Sequence, residues 1–268
     1  MRHQWRIRRS MKRIFSVFLA IFALCAVSVL NAEVNKEELF TNMAAKYPGT
    51  AEMSGKFEIS MPMMGSIMKM PATFWKKGDR MRMDMTITQP GMPKPMEMVM
   101  LMDSEKIIQY QKMMNMVITI DLTKLPAEMR EQMKKKQMFG MDKDTMNNFK
   151  DMLDKIEVTE KTRDGKNFYL ITVNDLEKIT NMVSMPGGQQ APQQMFKKML
   201  VWVCTDSLFY DKMEIYGEAD TPAMWIDFLE FKTESVPDSV FNLDIPKDAK
   251  VMDMTDMIKN MTESMKQN

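Results

Sequence analysis

Methionine at every second position constrains this chain more than any other feature. Ser60 to Met102 carries 13 of the 37 methionines in 43 residues. Two runs inside it alternate strictly, Arg80-Met81-Arg82-Met83-Asp84-Met85-Thr86-Ile87 and Met96-Glu97-Met98-Val99-Met100-Leu101-Met102. A helix repeats every 3.6 residues and scatters such a pattern around its axis. A strand repeats every two and sorts it onto two faces. Met81, Met83, Met85 and Ile87 therefore share one face of a strand, and Arg80, Arg82, Asp84 and Thr86 the other. The expectation is a sheet with one methionine face and one wet face. The methionine face is either buried by the chain itself or used to hold something apolar.

The rest of the chain supports a long antiparallel meander. Further strands are expected over 50–61, 66–77, 106–111, 116–121, 197–205, 209–217 and 223–234, with a hairpin of 156–162 and 167–173 around Arg163-Asp164-Gly165-Lys166. Phe241, Leu243 and Ile245 make a last alternating piece. Helical spacing appears at 33–47, 126–138, 142–154 and 175–185. The strands are too many and too evenly spaced for a doubly wound sheet. The fold class expected is mainly β with helices (α+β): a curved, incomplete antiparallel β-barrel with helices covering its concave face.

Residues 1–32 have the layout of a secretory signal peptide: a basic start (Arg2, Arg6, Arg8, Arg9, Lys12, Arg13), an apolar run from Ile14 to Leu30, and small Ala32. Export to the periplasm is expected, with Met11 an alternative start. The expected organisation is 1–32 signal, 33–252 binding domain and 253–268 polar tail. Losing 1–32 removes 6 of the 37 basic residues and none of the 36 acidic ones, turning a net charge of +1 into −5. An acidic exported domain is unsuited to phosphate backbones, so no nucleic-acid partner is expected. His3, the only histidine, and Cys25 leave with the signal, so Cys204 is the one remaining thiol or imidazole. That inventory excludes an internal disulfide, a Cys–His zinc site and a histidine-based triad. No phosphate-cradling loop or nucleophile elbow is present. The expectation is a binding protein, not an enzyme, with no cofactor.

Thioethers are soft ligands that favour Cu(I). Met61, Met63, Met64, Met68 and Met70, or Met113, Met114 and Met116, are the candidate sets. Methionine is also the most adaptable core filler and suits surfaces that accept varied apolar partners.

Phe74-Trp75-Lys76-Lys77-Gly78-Asp79-Arg80-Met81-Arg82-Met83-Asp84-Met85-Thr86, together with Met98 to Tyr110, Lys212 to Gly217, Trp225 to Lys232 and Asp238 to Pro246, resembles the LolA-type periplasmic lipoprotein carriers and their outer-membrane lipoprotein-sorting relatives. The resemblance implies a carrier of lipoprotein acyl chains or other lipid. The ligand-binding residues it implies, together with the alternating pattern, are Phe74, Met81, Met83, Met85, Met98, Met100, Trp225 and Phe228. Lys77 stands where the carriers use a basic residue in cargo transfer. A monomer is expected, with inner- and outer-membrane receptor proteins as candidate partners. A Cu(I)-binding periplasmic protein and an envelope-stress or protein-binding module on the same fold are the alternatives.

Overall fold

The computed structural model describes residues 34–48, 51–63, 65–88, 94–127, 129–130, 153–174 and 196–266. Helix α1 (Lys36–Lys46) opens the described chain. The Asn35 side chain caps it by accepting from the Glu38 N–H, and Glu37, Glu38 and Lys46 complement its dipole. Strands β1 (Met53–Met63), β2 (Ser66–Lys77), β3 (Arg80–Ile87), β4 (Met96–Met102), β5 (Lys106–Gln111) and β6 (Met116–Asp121) form the first meander. Strands β7 (Ile156–Arg163), β8 (Lys166–Asn174), β9 (Lys198–Cys204), β10 (Tyr210–Tyr216) and β11 (Pro222–Lys232) form the second. Strand β12 (Lys250–Asp253) and helix α2 (Thr255–Lys266) close it. All of these elements belong to one unit, Asn35–Asn268.

The twelve strands make one sheet in the order β12-β6-β5-β4-β3-β2-β1-β11-β10-β9-β8-β7. The two meanders join through β1 and β11, whose register slips between Lys56 and Phe57. Such a bulge bends a strand and increases its twist. Tight turns set the hairpins: Gly78 takes φ +59° between β2 and β3, and Asp164 and Gly165 take φ +51° and +74° between β7 and β8.

The sheet is open and almost wholly antiparallel, in keeping with the expected unclosed antiparallel architecture. Its two edges, β7 and β12, do not pair with one another. Along β7, Glu157, Thr159, Glu160, Lys161 and Thr162 are exposed, and charged edge residues oppose further strand addition. The helices expected over 126–138, 142–154 and 175–185 fall almost wholly outside the described residues, as does the lid they were to form. Helix α1 buries Leu39, Phe40 and Met43. It is tied at one end by Lys36 Nζ donating to Leu153 O and at the other by Tyr47 Oη donating to Ser207 O.

Two further departures lie at the C-terminal end. Strand β12 pairs with β6 in parallel, Val251 opposite Val117. The piece around Phe241, Leu243 and Ile245 is not a strand. Asp238–Phe241 is a 3-10 turn in a strap that leads from β11 to β12. Val236, Phe241 and Leu101 form a buried cluster with Trp75, Ile108, Val240 and Leu243 packed against it. The face opposite the methionines is therefore covered by the strap around Trp75, Leu101 and Ile108, while Ile67, Lys69 and Pro71 of β2 and Glu97 of β4 stay exposed on it.

Polar groups beneath the strap bind it. Arg82 donates to Val240 O (2.7 Å) and holds Asp84 through two bonds (2.6 and 2.7 Å). Arg80 pairs with Asp238 and lies over the Phe241 ring. The Val236 N–H donates to Glu52 Oε2 (2.7 Å).

These strap contacts carry a pH dependence. The Val236 N–H holds the Glu52 carboxyl below the usual carboxylate range, and Arg80 and Lys77 do the same for Asp238. A depressed folded pKa means stabilisation that is complete above the ordinary value and lost as pH falls through the folded one. Amide protection at Val236, Val240 and Leu243, corrected for intrinsic exchange, is expected to hold down to the ordinary carboxylate pKa of about 4 and to fall in the acid range below it. Protection that stays flat across that window would contradict these anchors.

Candidate functional site

The alternation in β2, β3 and β4 produces a face with one side-chain chemistry. On β2, Met68, Met70, Ala72, Phe74 and Lys76 are buried, while the alternate residues Ile67, Lys69 and Pro71 are exposed. On β3, Met81, Met83 and Met85 are buried. The register then brings these positions into rows across the sheet. Phe74 lies opposite Met83, Met83 opposite Met100, and Met100 opposite Gln109. Ala72, Met85, Met98 and Gln111 make the next row, and Lys76, Met81, Met102 and Ile107 the one on the other side. Directly opposed side chains on one face stand within contact range. Met68, Met70, Met81, Met83, Met85, Met98, Met100 and Met102 thus share one face of three neighbouring strands.

Phe74 sits at the junction of this face with an aromatic sector. Its ring lies 6.1 Å from Phe57, and Phe57 lies 6.2 Å from Phe228. Phe228 continues to Phe209 (5.9 Å) and Tyr210 (5.6 Å), and Tyr47 at the end of α1 stands edge-on to Phe209 and Phe231. Burial pushes the Tyr210 hydroxyl up to about 12, so it stays neutral at any physiological pH. Gly55 makes room for Phe74, since a Cβ there would overlap both the Phe74 ring and the Glu230 carbonyl oxygen.

Of the residues expected to bind ligand, Phe74, Met81, Met83, Met85, Met98, Met100 and Phe228 share this face. Trp225 does not. It pairs with Ser60 and Glu214, one residue out of phase with inward Ile226, and so alternates to the strap face. Lys77 is also on the strap face. Its Nζ donates to Val236 O (3.1 Å) and stands 3.3 Å from Asp238 and 3.8 Å from Glu52.

The lysine on the methionine face is Lys76, which sequence reasoning passed over. It lies between Met53 and Met81, is 1% exposed, and donates from Nζ to Gly78 O (2.8 Å). Burial pushes its ammonium below the usual lysine range, with the Asp79 carboxylate acting the other way. The signal was present: Lys76 has the phase of Met68, Met70 and Phe74.

Among the described residues the face offers soft apolar atoms, two amides, Gln109 and Gln111, and the Lys76 amine. Among the described residues no cluster of three His, Cys, Asp or Glu is placed to hold a metal ion. Of the thioether sets, Met61 stands opposite Met68 across β1 and β2, Met113 and Met114 are exposed, and Met64 lies outside the described residues. Among the described residues no helix is long and apolar enough to cross a membrane.

No protein-family model matches the chain, and no curated protein does. Solved structures do match. An uncharacterized conserved protein from Thermus thermophilus is 9% identical with a TM-score of 0.48, covering 81% of this chain and 98% of that one. A putative outer membrane lipoprotein-sorting protein domain from Vibrio parahaemolyticus is 10% identical with a TM-score of 0.36, covering 77% and 95%. The Pseudomonas aeruginosa MucA/MucB complex contains a chain 11% identical with a TM-score of 0.38, covering 77% of this chain and 60% of that one. Likeness at this level assigns neither a family nor an activity to the chain.

Proposed function

We propose that the chain is an exported, non-enzymatic binding protein that takes up the acyl chains of a lipid or lipoprotein on its methionine face. The observation that carries this reading is the chemistry of the face: eight methionines on three adjacent strands, bordered by Phe74, Phe57 and Phe228. A core that only has to be filled is better specified by Leu, Ile and Val, whose rotamers are few. Methionine adapts its shape and suits a surface that must close on a flexible chain and release it.

A ligand that binds only the native state stabilises it by mass action, by about 2.7 kcal/mol at a hundredfold excess over Kd. For a domain of this size that corresponds to roughly 5–10 °C in Tm. A delipidated sample is therefore expected to melt several degrees higher with a diacylated lipopeptide than with the unacylated peptide. Identical melting with both, at concentrations that saturate a known acyl-binding protein, would overturn the reading. A Met-based Cu(I) site has the Met61–Met68 cross-strand pair in its favour. Titration with Cu(I) against a weak chelator under reducing conditions separates it from lipid binding.

A further inference from the structure

The methionine face is not equally buried along its length. One cross-strand row runs Phe74, Met83, Met100, Gln109, Ile118, Met252, from β2 to the free edge at β12. Phe74 and Met83 are sealed, Met100, Gln109 and Ile118 are partly exposed, and Met252 is 48% exposed. The neighbouring row repeats the gradient, from buried Met85 and Met98 through partly exposed Gln111 and Met116 to exposed Lys250. The accessible end of the face is its β12 end.

Apolar side chains also reach solvent at that end. Among the described residues seven large apolar side chains are well exposed, and five lie here: Met113, Met114, Val251, Met252 and Met257. The Lys250 N–H donates to Asn115 O (2.9 Å), which sets the 3-10 turn Lys112–Met114 against the start of β12. The Met254 N–H donates to Thr119 O (2.9 Å), which fixes the start of α2 at the other end of the strand. Free sheet edges are ordinarily defended by charge, as β7 is. β12 instead carries Met252 beside Ile118 on the methionine face and Val251 beside Val117 on the opposite one.

We infer that the β12 end is a docking surface for a lipid bilayer, across which acyl chains reach the partly exposed half of the methionine face. This rests on the acyl-binding reading above and supplies the place where the face meets its lipid source. Acyl chains are driven out of water into bilayers, so a protein that collects them must touch one. Four of the five exposed side chains are thioethers, which adapt to a disordered apolar medium. None is Trp, Tyr or Arg, the residues that anchor protein interfaces. Charge adds little. Lys112 pairs with Glu97, and Lys250 and Lys259 are matched along the chain by Asp253 and Asp256. Docking is driven by apolar insertion and does not require anionic lipid.

Flotation with vesicles tests it on the delipidated chain freed of residues 1–32, beside a separate titration with free oleate. One vesicle is phosphatidylcholine alone, the other phosphatidylcholine with phosphatidylglycerol. The native chain is expected to float with both, its partition coefficients within about threefold of each other. Met113→Glu/Met257→Glu is expected to lower partitioning at least about tenfold, since two exposed apolar side chains lose their place in the bilayer. Its Tm and oleate affinity are expected to hold, because both positions are exposed. Ile67→Glu, exposed on β2 away from this end, is expected to float like the native chain. A native chain that binds oleate but floats with neither vesicle overturns the inference alone. So does flotation confined to the phosphatidylglycerol vesicles, or flotation that Met113→Glu/Met257→Glu leaves unchanged. A native chain that binds no oleate overturns the acyl reading and this inference with it. If the double variant does not fold, Met114→Glu/Met252→Glu carries the same expectation for flotation.

Discussion

Phe74→Ala is expected to destabilise the protein by about 3–5 kcal/mol, among the largest effects of any single truncation in the sheet. The ring is 0% exposed and joins the methionine face to the aromatic sector. It fills the space left by Gly55, touches the aromatic sector through Phe57, and lies opposite Met83. Truncation removes its transfer energy and opens a cavity at the bulged β1–β11 junction, where the backbone has little freedom to collapse. Urea unfolding of the delipidated protein measures the loss. A cost under about 1.5 kcal/mol would mean that neighbouring methionines refill the space, and that the junction is looser than described.

A charge placed on the face is expected to act differently at two neighbouring positions. Met83 is 1% exposed between Phe74 and Met100, so a carboxylate in Met83→Glu is held from water without a partner. It is expected to cost several kcal/mol of stability. Met100 is opposite Met83 but only half-buried, with Gln109 on its other side. In Met100→Glu the carboxylate reaches water, and the fold is expected to survive with a small fall in Tm. Acyl affinity is expected to drop by at least about tenfold, because the hydrated charge would have to be stripped before a chain could lie there. Circular dichroism and titration with a fluorescent fatty acid separate the two effects. A folded Met100→Glu protein that binds acyl chains as tightly as the native one would move the site elsewhere.

The strands were legible because their signal is local. β2, β4, β5 and β6 begin and end where alternation and turn residues place them, and the face assignment of Phe74 and the inward methionines follows from phase alone. What was not legible depends on distant partners. Nothing local in Lys250–Asp253 announces a parallel pairing with β6, more than 120 residues earlier. Phe241 and Leu243 alternate like a strand, but Pro237 and Pro246 bracket them, and burial under the strap satisfies the same pattern without a ladder. Arg80 and Arg82 read as solvent-facing because their binding partners, Asp238, Val240 and the Phe241 ring, are over 150 residues away. Lys76 and Lys77 differ by one residue, and a period of two sends them to opposite faces. The alternation already contained that distinction. Trp225 was misplaced by the same one-residue phase, as Ile226 and Phe228 mark the inward set of β11.

The central claim is that the methionine face receives an apolar chain, and the methionine methyl groups report on it directly. In protein labelled with methyl-13C methionine and assigned by single Met→Leu substitutions, saturating oleate is expected to shift Met81, Met83, Met85, Met98 and Met100. The same titration is expected to leave the exposed Met113, Met114 and Met257 unmoved. Shifts confined to those exposed methionines, or none at all, would show that the face is ordinary core and contradict the account.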